Sequence, residues 1–268
     1  MECRIKDLSI NYKIVGEGKP VVMLHGYYVD HTIMTGCMEP LFSHKEGYKR
    51  IYFDLPGMGK SQSAEWILSA DDMLDIIIGF IDKIIPNENF LLAGQSYGGY
   101  LARGVLHKMA KRIDGILLFC PVIMTDFKKR SVEESVVLVK DMEFLSKLTP
   151  EEAENFNLVI QNERTYERNQ NDFKGVEIAD HTFLKNFQKN GYECSFDVDQ
   201  LSEKFDKPSL ILLGKQDEVV GYKDQWNILE NFPRATFAVL DGAGHALQIE
   251  QEKVFHALIS EWLERINV

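Results

Sequence analysis

The sequence predicts an α/β protein whose core is a mostly parallel β-sheet with helices on both faces. Short apolar runs that end in glycine or proline alternate with longer stretches in which apolar residues recur at helical spacing. This alternation stops at about residue 122 and resumes at about residue 205, which indicates an insertion between two strands of one sheet. The chain has 268 residues, a length that suits one α/β core carrying an inserted segment.

The first half of the chain contains the runs that predict strands. Residues 3–15 alternate polar and apolar side chains, which predicts two short strands ending before Gly16. Four later runs are apolar enough for strands that are buried on both faces: VVMLHG (21–26), RIYFDLPG (50–57), FLLAG (90–94) and GILLFCP (115–121).

Two helices are predicted around the FLLAG run. Apolar residues recur every three or four positions from Ser69 to Ile85, with Ser69 as a candidate N-cap and Asp72 three residues later. Pro86 ends that helix because proline lacks the N–H that a helix interior needs. A second helix is predicted over residues 96–112, where basic residues near its end suit the helix dipole.

The second half of the chain divides into an insertion and the rest of the sheet. Residues 122–204 are highly charged, mostly helical in pattern, and contain no convincing buried strand. The alternation then resumes with a strand (208–214), a helix near residues 222–231, a strand (236–242) and a last helix from Ile249 to Ile266. We therefore expect a core of residues 1–121 and 205–268, with residues 122–204 as a helical cap.

Composition excludes several classes of function. A formal net charge of −11 disfavours binding to nucleic acid, whose phosphates it would repel. The four cysteines are scattered, without a CxxC pair or a metal-like spacing, so we expect free thiols and no metal. The N-terminus lacks the apolar core of a signal peptide, and no run approaches the roughly 18 apolar residues of a membrane span. These features predict a soluble cytoplasmic protein with no nucleic-acid or membrane partner, and they do not identify a substrate.

Residues 94–98, GQSYG, fit the pattern G-x-S-x-G. An apolar strand precedes the pattern and a helix comes after it, as required of a nucleophile elbow. At such a sharp turn the strand and helix approach closely, so positions two residues either side of the serine must be small, as Gly94 and Gly98 are. The sequence therefore predicts Ser96 as a nucleophile.

A serine hydroxyl needs a base, and the base needs an acid that fixes its tautomer. His245 lies in a loop between a predicted strand and the last helix, and Asp217 directly follows a buried strand. The order Ser96, Asp217, His245 is the order of α/β-hydrolase triads. Asp126 is an alternative acid, whereas Asp241 lies close enough to His245 to shape that loop instead.

Backbone N–H groups are the expected stabilisers of the oxyanion because they are fixed before the reaction begins. The amide of Tyr97, directly after the serine, is one candidate donor. The second is the amide of Tyr27 in HGYY (25–28), where Gly26 lets the backbone come close. We expect His25 to be a structural hydrogen-bonding residue of this loop.

Five motifs together resemble the α/β-hydrolase superfamily, most closely its cap-bearing bacterial esterases, C–C bond hydrolases and iminopeptidase-like enzymes: HGYY (25–28), DLPGMGKS (54–61), GQSYGG (94–99), GKQDEVV (214–220) and GAGH (242–245). The resemblance implies an eight-stranded, mostly parallel sheet with a cap after the sixth strand, and no cofactor. It assigns Ser96 as nucleophile, Asp217 as acid and His245 as base, and DLPGMGKS as a loop that braces the oxyanion turn.

The motifs favour a serine hydrolase acting on a small carboxylic ester or amide. Iminopeptidases usually carry tryptophan after the serine, so Tyr97 speaks against proline-specific peptidase activity. An aminopeptidase, a C–C hydrolase or lyase using the same triad, and a non-catalytic ligand receptor remain alternatives.

Substrate contacts are expected from Tyr28, Gln95 and Val219, which neighbour the predicted triad and oxyanion residues. In the cap, Glu163 and Glu167 would either hold a substrate amine or form a solvated helix face with Arg164 and Arg168, the second being favoured. Several aromatic residues would line an acyl pocket or, more commonly, anchor the cap: Phe156, Tyr166, Phe173, Phe183 and Phe187.

Overall fold

A single sheet of eight strands organises the protein in the computed structural model, which describes residues 1–267. Two further strands form a small separate sheet. In chain order the strands are β1 (Glu2–Ile5), β2 (Leu8–Val15), β3 (Lys19–Leu24), β4 (Tyr48–Phe53), β5 (Phe90–Gln95), β6 (Ile113–Phe119), β7 (Val139–Lys140), β8 (Ile160–Gln161), β9 (Ser209–Gly214) and β10 (Ala235–Leu240).

Helices connect most of these strands. The α-helices are α1 (Thr32–Phe42), α2 (Ala70–Ile84), α3 (Tyr97–Met109), α4 (Met142–Leu145), α5 (Pro150–Asn155), α6 (Glu163–Asp172), α7 (His181–Asn190), α8 (Leu247–Glu250) and α9 (Glu252–Ile266). Short 3₁₀ helices occur at Ala110–Arg112, Phe127–Lys129, Lys174–Ile178 and Asp224–Asn231.

The large sheet has the strand order β1-β2-β4-β3-β5-β6-β9-β10. The pairs β1–β2 and β2–β4 are antiparallel, and every other neighbouring pair is parallel. The predicted fold class, an α/β-hydrolase fold with an eight-stranded and mostly parallel sheet, is confirmed.

The strand order creates a crevice at the centre of the sheet. β3 lies between β4 and β5, so the chain leaves β3 toward one neighbour and later returns to pair on its other side. The loops after β3 and β5 consequently diverge at the carboxyl edge of the sheet, which is where open α/β sheets bind ligands.

Apolar helix faces cover the sheet. α2 packs against α3, and α1 packs against α9, which also contacts β6 and β9. The predicted start of α2 is confirmed, because the carboxylate of Asp72 accepts the backbone N–H and the hydroxyl of Ser69. Trp262 of α9 is fully buried and its indole N–H donates to the carbonyl of Pro208, which fixes the helix beside β9.

The segment between β6 and β9 contains α4 to α7, all short helices, as its charged helical pattern predicts. It also contains the β7–β8 pair, a parallel two-residue ladder in which Gln161 is buried. Both β7 residues are exposed and Ile160 is only half-buried, so this short ladder is not a buried strand of the kind found in the large sheet. α6 of this segment contacts α1 and α8 of the core.

Three helical regions also differ from the sequence prediction. The helix near residues 222–231 is a 3₁₀ helix over Asp224–Asn231, and the last helix divides at Gln251 into α8 and α9. α1 was not predicted, because Gly36 and Pro40 weaken its helical pattern. Within residues 1–267, none of the helices combines the length and the apolarity needed to cross a bilayer.

Candidate active site

Ser96 lies at the turn between β5 and α3, at the edge of the central crevice. Its backbone has φ 53° and ψ −119°, which is a strained conformation for a residue with a side chain. The carbonyl of Ser96 accepts the N–H groups of Gly99, Tyr100 and Val122, and its own N–H donates to the carbonyl of Phe119. These four bonds hold the strained turn in place.

The two glycines of the motif are required by close backbone packing. A Cβ at Gly94 would lie 2.5 Å from the carbonyl oxygen of Gly98, and a Cβ at Gly98 would lie 2.3 Å from that of Leu24. Both distances are far inside van der Waals contact with backbone atoms that cannot move aside. The tight strand–turn–helix geometry expected of GQSYG is thus present.

His245 and Asp217 meet Ser96 in one chain of polar contacts. Ser96 Oγ lies 2.9 Å from His245 Nε2, and His245 Nδ1 lies 2.9 Å from Asp217 Oδ2. The three residues follow β5, β9 and β10, and their side chains converge from the carboxyl edge of the sheet. The arrangement can transfer a proton from the hydroxyl to the imidazole while the carboxylate holds the ring.

Asp217 is fully buried and is held ionised by its partners. Its Oδ1 accepts the backbone N–H groups of Val219 (2.8 Å) and Val220 (2.9 Å). Burial alone would raise the pKa of this carboxyl, but His245 and the two N–H groups outweigh burial and lower it.

The other two acids considered do not reach His245. Asp126 is exposed and accepts the N–H of Lys128 at the start of a 3₁₀ turn. Asp241 accepts the side-chain amide of Gln216. Both therefore serve local turns rather than the polar chain of Ser96.

The loop after β3 supplies the backbone next to the serine. A Cβ at Gly26 would lie 2.2 Å from Gln95 Oε1 and 3.1 Å from Ser96 Cβ, so a larger residue here would require its neighbours to move. Among residues 1–267, no protein acceptor receives the backbone N–H of Tyr27 or of Tyr97. His25 has the expected structural position: its Nδ1 contacts the Gly26 carbonyl, and its Nε2 accepts the N–H of Leu55 in the DLPGMGKS loop.

A cluster of tyrosine rings lies beside this backbone. The Tyr27 ring meets the rings of Tyr28, Tyr97 and Tyr192 edge-on, and its hydroxyl donates to the carbonyl of Leu184 in α7. Tyr192, which comes just after α7, stacks on Tyr97 with ring centroids 4.1 Å apart. The inserted segment thus packs directly on the residue next to Ser96.

Of the three residues predicted to contact substrate, only Val219 borders the cavity at His245. Val219 borders a cavity of about 200 Å³ that His245 also lines. Gln95 is buried, its Oε1 has no partner in the described chain, and this atom lies 2.2 Å from where a Cβ at Gly26 would be. Tyr28 has a positive φ of 68°, and its ring stacks on His181 of α7.

Most of the acidic and aromatic residues of the insertion that could bind substrate lie away from His245. Glu163 and Glu167 are exposed, which agrees with a solvated face, while Arg164 and Arg168 pair with Glu252 of α9. Only one predicted aromatic, Phe173, lines the cavity at His245. The others pack elsewhere: Phe156 against Tyr166, and Phe183 with Phe187 at a separate cavity of about 520 Å³ between α7 and residues 63–68.

Glu250 is a residue of this region that the sequence analysis missed. It is buried, and its carboxylate accepts the N–H groups of Val159 and Gly244. Burial raises its pKa despite these bonds. A buried acid in the apolar stretch ALQIE, five residues after His245, was the signal that could have drawn attention to it.

Two groups of side chains within residues 1–267 have donor atoms close enough to share a metal ion, all within 4.8 Å: Cys120, Asp217 and His245, and Asp30, His31 and Asp54. In each group a histidine Nδ1 already contacts an aspartate, at 2.9 Å and 2.7 Å respectively. Histidine–carboxylate hydrogen bonds therefore account for both groupings.

The chain is similar to known hydrolases over most of its length. The family model Hydrolase_4, described as serine aminopeptidase, S33, matches residues 18–252. The pimeloyl-[acyl-carrier protein] methyl ester esterase of Legionella pneumophila is 22% identical over 261 residues, covering 96% of this chain and 100% of that protein.

Solved structures share the fold over the whole chain. An α/β superfamily hydrolase from Oenococcus oeni is 29% identical with a TM-score of 0.87, and the match covers 100% of both chains. A thermophilic esterase from Thermogutta terrifontis is 22% identical with a TM-score of 0.68, covering 97% of this chain and 95% of that one, a likeness of fold alone. The chain belongs to the serine aminopeptidase S33 family and is an α/β hydrolase.

Proposed function

We propose that the protein is a serine hydrolase that cleaves a small carboxylic ester through an acyl-enzyme. Ser96 is the nucleophile, His245 the general base and acid, and Asp217 the residue that orients and stabilises His245. The observation that carries the proposal is the continuous contact from Ser96 Oγ through His245 to Asp217, with both distances 2.9 Å.

Acylation begins when His245 Nε2 takes the proton of the Ser96 hydroxyl. The Oγ then bonds to the ester carbonyl carbon, and the carbonyl oxygen becomes an oxyanion. The intermediate collapses as the ester C–O bond breaks, and the leaving alcohol takes the proton from His245. Asp217 stabilises the imidazolium that exists between these two proton transfers.

The N–H groups of Tyr27 and Tyr97 are the proposed oxyanion donors. Both lie on backbone adjacent to Ser96 and have no competing acceptor among residues 1–267. Donors fixed in place before the reaction stabilise developing charge without reorganisation, and each is worth roughly 10²–10³ in kcat.

Deacylation uses the same groups in reverse. His245 removes a proton from water, whose oxygen attacks the acyl carbon, and the proton returns to Ser96 Oγ as the acid is released.

We further propose that residues 122–204 form a cap over the core of residues 1–121 and 205–268. In this cap, the ring of Tyr192 covers Tyr97. The residues proposed to contact the substrate are Tyr28, Gln95 and Val219.

An ester is favoured over an amide because the Legionella pneumophila relative is named as an ester hydrolase, while the family description, serine aminopeptidase, keeps amide cleavage as the second candidate. Turnover of p-nitrophenyl esters of graded chain length, compared with amino-acid arylamides, separates these candidates. Exclusive arylamide turnover would contradict the ester assignment.

The chemistry itself is tested with Ser96→Ala and a fluorophosphonate probe. We expect the probe to label the wild type at Ser96 and the variant to lose ester turnover by several orders of magnitude without unfolding. Retention of activity by a folded Ser96→Ala protein would refute the proposal. Labelling of Ser96 without ester or amide turnover would point to C–C bond cleavage instead.

A further inference from the structure

Arg130 is the residue that the proposed reaction leaves unexplained. It comes directly after the 3₁₀ turn Phe127–Lys129, at the beginning of the insertion. The residue is half-buried, unlike the neighbouring Lys128 and Lys129, which are exposed. A partly buried cation without a carboxylate partner requires a physical reason.

Two of the three guanidinium nitrogens are engaged by backbone carbonyls. Nε donates to the carbonyl of Met124 at 2.8 Å, and one terminal nitrogen donates to that of Val219 at 3.1 Å. The planar group also lies over the ring of Phe127, 4.0 Å from its centroid. These contacts fix the orientation of the side chain without neutralising its charge.

The third nitrogen is buried and makes no hydrogen bond of standard length and angle in the described chain, although the Tyr192 phenol lies close enough to interact with the guanidinium. No carboxylate of residues 1–267 is hydrogen-bonded to Arg130. Burial lowers the pKa of this guanidinium, and Tyr192, Asp217 and Asp224 are near enough to oppose the effect. An oriented donor nitrogen that makes no standard hydrogen bond, on a partly buried cation, is a group that an anion would satisfy.

The position of Arg130 connects it to the proposed active site on two sides. Phe127, on which it stacks, contacts the Tyr192 ring at 5.7 Å, and Tyr192 in turn stacks on Tyr97 next to Ser96. On the other side its partner Val219 borders the cavity that contains His245. Arg130 is also close enough to the Tyr192 phenol to favour its ionised form, although burial dominates and raises the pKa of Tyr192.

We propose that Arg130 is a specificity-determining residue that binds a carboxylate carried by the ester substrate. This inference rests on the proposed function and names its substrate class. The charge of a carboxylate matches the single charge of Arg130. With Nε and one terminal nitrogen occupied, the remaining nitrogen offers N–H donors on one edge only, which suits one oxygen of a monovalent anion.

The experiment compares esters of equal length that differ in one charge. Monomethyl adipate carries the carboxylate on its acyl chain, and methyl hexanoate is its neutral match. An ester of butanoic acid with 4-hydroxybutanoate carries the carboxylate on the alcohol instead, with butyl butanoate as its match. Monomethyl esters of shorter and longer diacids then establish the distance between the two groups.

For wild-type protein we expect kcat/KM for one carboxylate ester to exceed that of its neutral match by about 10-fold or more. Arg130→Met should abolish this preference, chiefly through KM, and leave the neutral ester within about threefold. Lys128→Met, an exposed neighbour with the same change in charge, should preserve it. The preferred member of the two carboxylate esters shows which side of the scissile bond faces Arg130.

Two results would overturn the inference: a wild type without preference for either carboxylate ester, or an Arg130→Met variant that loses charged and neutral esters equally. The second would identify Arg130 as a tether for the Val219 loop. Arg130→Lys, which retains the charge, should keep part of the preference and serves if the methionine variant does not fold.

Binding of adipate to Ser96→Ala protein, measured by calorimetry, separates the inference from the proposed reaction. Binding that Arg130→Met weakens about 10-fold supports the anion site even if no ester is turned over. Equal adipate binding by the proteins with and without Arg130 would contradict it even if Ser96 is an active nucleophile.

Discussion

The carboxylate of Glu250 accepts the backbone N–H of Gly244, the residue before His245, at 2.6 Å. Its second oxygen accepts the N–H of Val159 at 2.5 Å, at the edge of the β7–β8 pair in the insertion. One buried side chain therefore links the histidine loop to the inserted segment. A Cβ at Gly244 would lie 3.1 Å from Val159 Cγ2, so the two segments are also in close steric contact.

Glu250→Gln should destabilise the protein and displace His245. The glutamine amide can accept only one of the two N–H groups, and its NH₂ then faces the other. We expect a loss of about 2 kcal/mol in the free energy of unfolding and a fall in kcat of roughly 10-fold. Urea denaturation and ester kinetics measure the two effects. Glu264→Gln, an exposed acid on α9, is the matched control, and equal behaviour of the two variants would contradict this role.

Asp217→Asn tests the identity of the acid. The amide has the size of the carboxylate but cannot stabilise an imidazolium or hold the same tautomer, so kcat should fall by about 10⁴. The equivalent change at Asp126, whose carboxylate accepts only a local N–H, should leave ester turnover unchanged. A large loss in Asp126→Asn, rather than in Asp217→Asn, would reverse the assignment of the acid.

Gly26→Ala tests the proposed oxyanion loop. The added Cβ would lie 2.2 Å from Gln95 Oε1 and 3.1 Å from Ser96 Cβ, so either the buried Gln95 side chain or the loop carrying the Tyr27 amide has to shift. We expect kcat to fall by roughly 10²–10³ with a smaller change in KM. Gln95→Ala removes the closer obstacle, so the double variant should recover part of the loss. No recovery, together with an unfolded single variant, would instead indicate a purely structural site.

Asp54 predicts a pH-dependent contribution to stability. It is buried; Oδ1 accepts the His31 N–H at 2.9 Å, and Oδ2 accepts the Lys60 N–H at 3.0 Å. Burial would raise the pKa of Asp54, but these bonds and the neighbouring histidines outweigh it and lower the pKa well below its usual value. The folded state then favours the ionised form, which stabilises the protein above the unfolded pKa of about 4.

Asp54→Asn should therefore lower the free energy of unfolding by about 3 kcal/mol at pH 7. The difference from wild type should stay constant from pH 8 to about pH 5 and shrink below about pH 4 as the folded pKa is approached. Urea denaturation across this range measures it, with the exposed Asp75→Asn as control. If the difference in free energy of unfolding between wild type and Asp54→Asn grew toward acid pH, it would contradict this role of Asp54.

The parts of the fold that depend on periodicity could be predicted from the sequence. Buried strands such as β5 and β9 are short apolar runs bounded by glycine, and the residues directly after these two strands lie at the same edge of the sheet. This is why Ser96 and Asp217 could be named before any coordinates. His245 could be predicted because it is a loop histidine that comes after the last strand of the sheet.

The remaining features depend on contacts between distant segments. Tyr192 and Arg130 lie in stretches without periodicity or a known motif, and only the packing of the insertion places them beside Tyr97 and Val219. Helix ends and short 3₁₀ segments are also poorly specified by local sequence, which agrees with the unpredicted break at Gln251 and the 3₁₀ form of residues 224–231.

The strand order also has a consequence for how activity returns during refolding. β6 and β9 are hydrogen-bonded neighbours, yet the whole insertion separates them in the chain. Ser96 and His245 are 149 residues apart, so the reactive pair forms through contacts of very high sequence separation, which are slow to close. Regain of ester cleavage should therefore lag behind regain of helical circular dichroism, and it would report the docking of the last two strands rather than the collapse of the core.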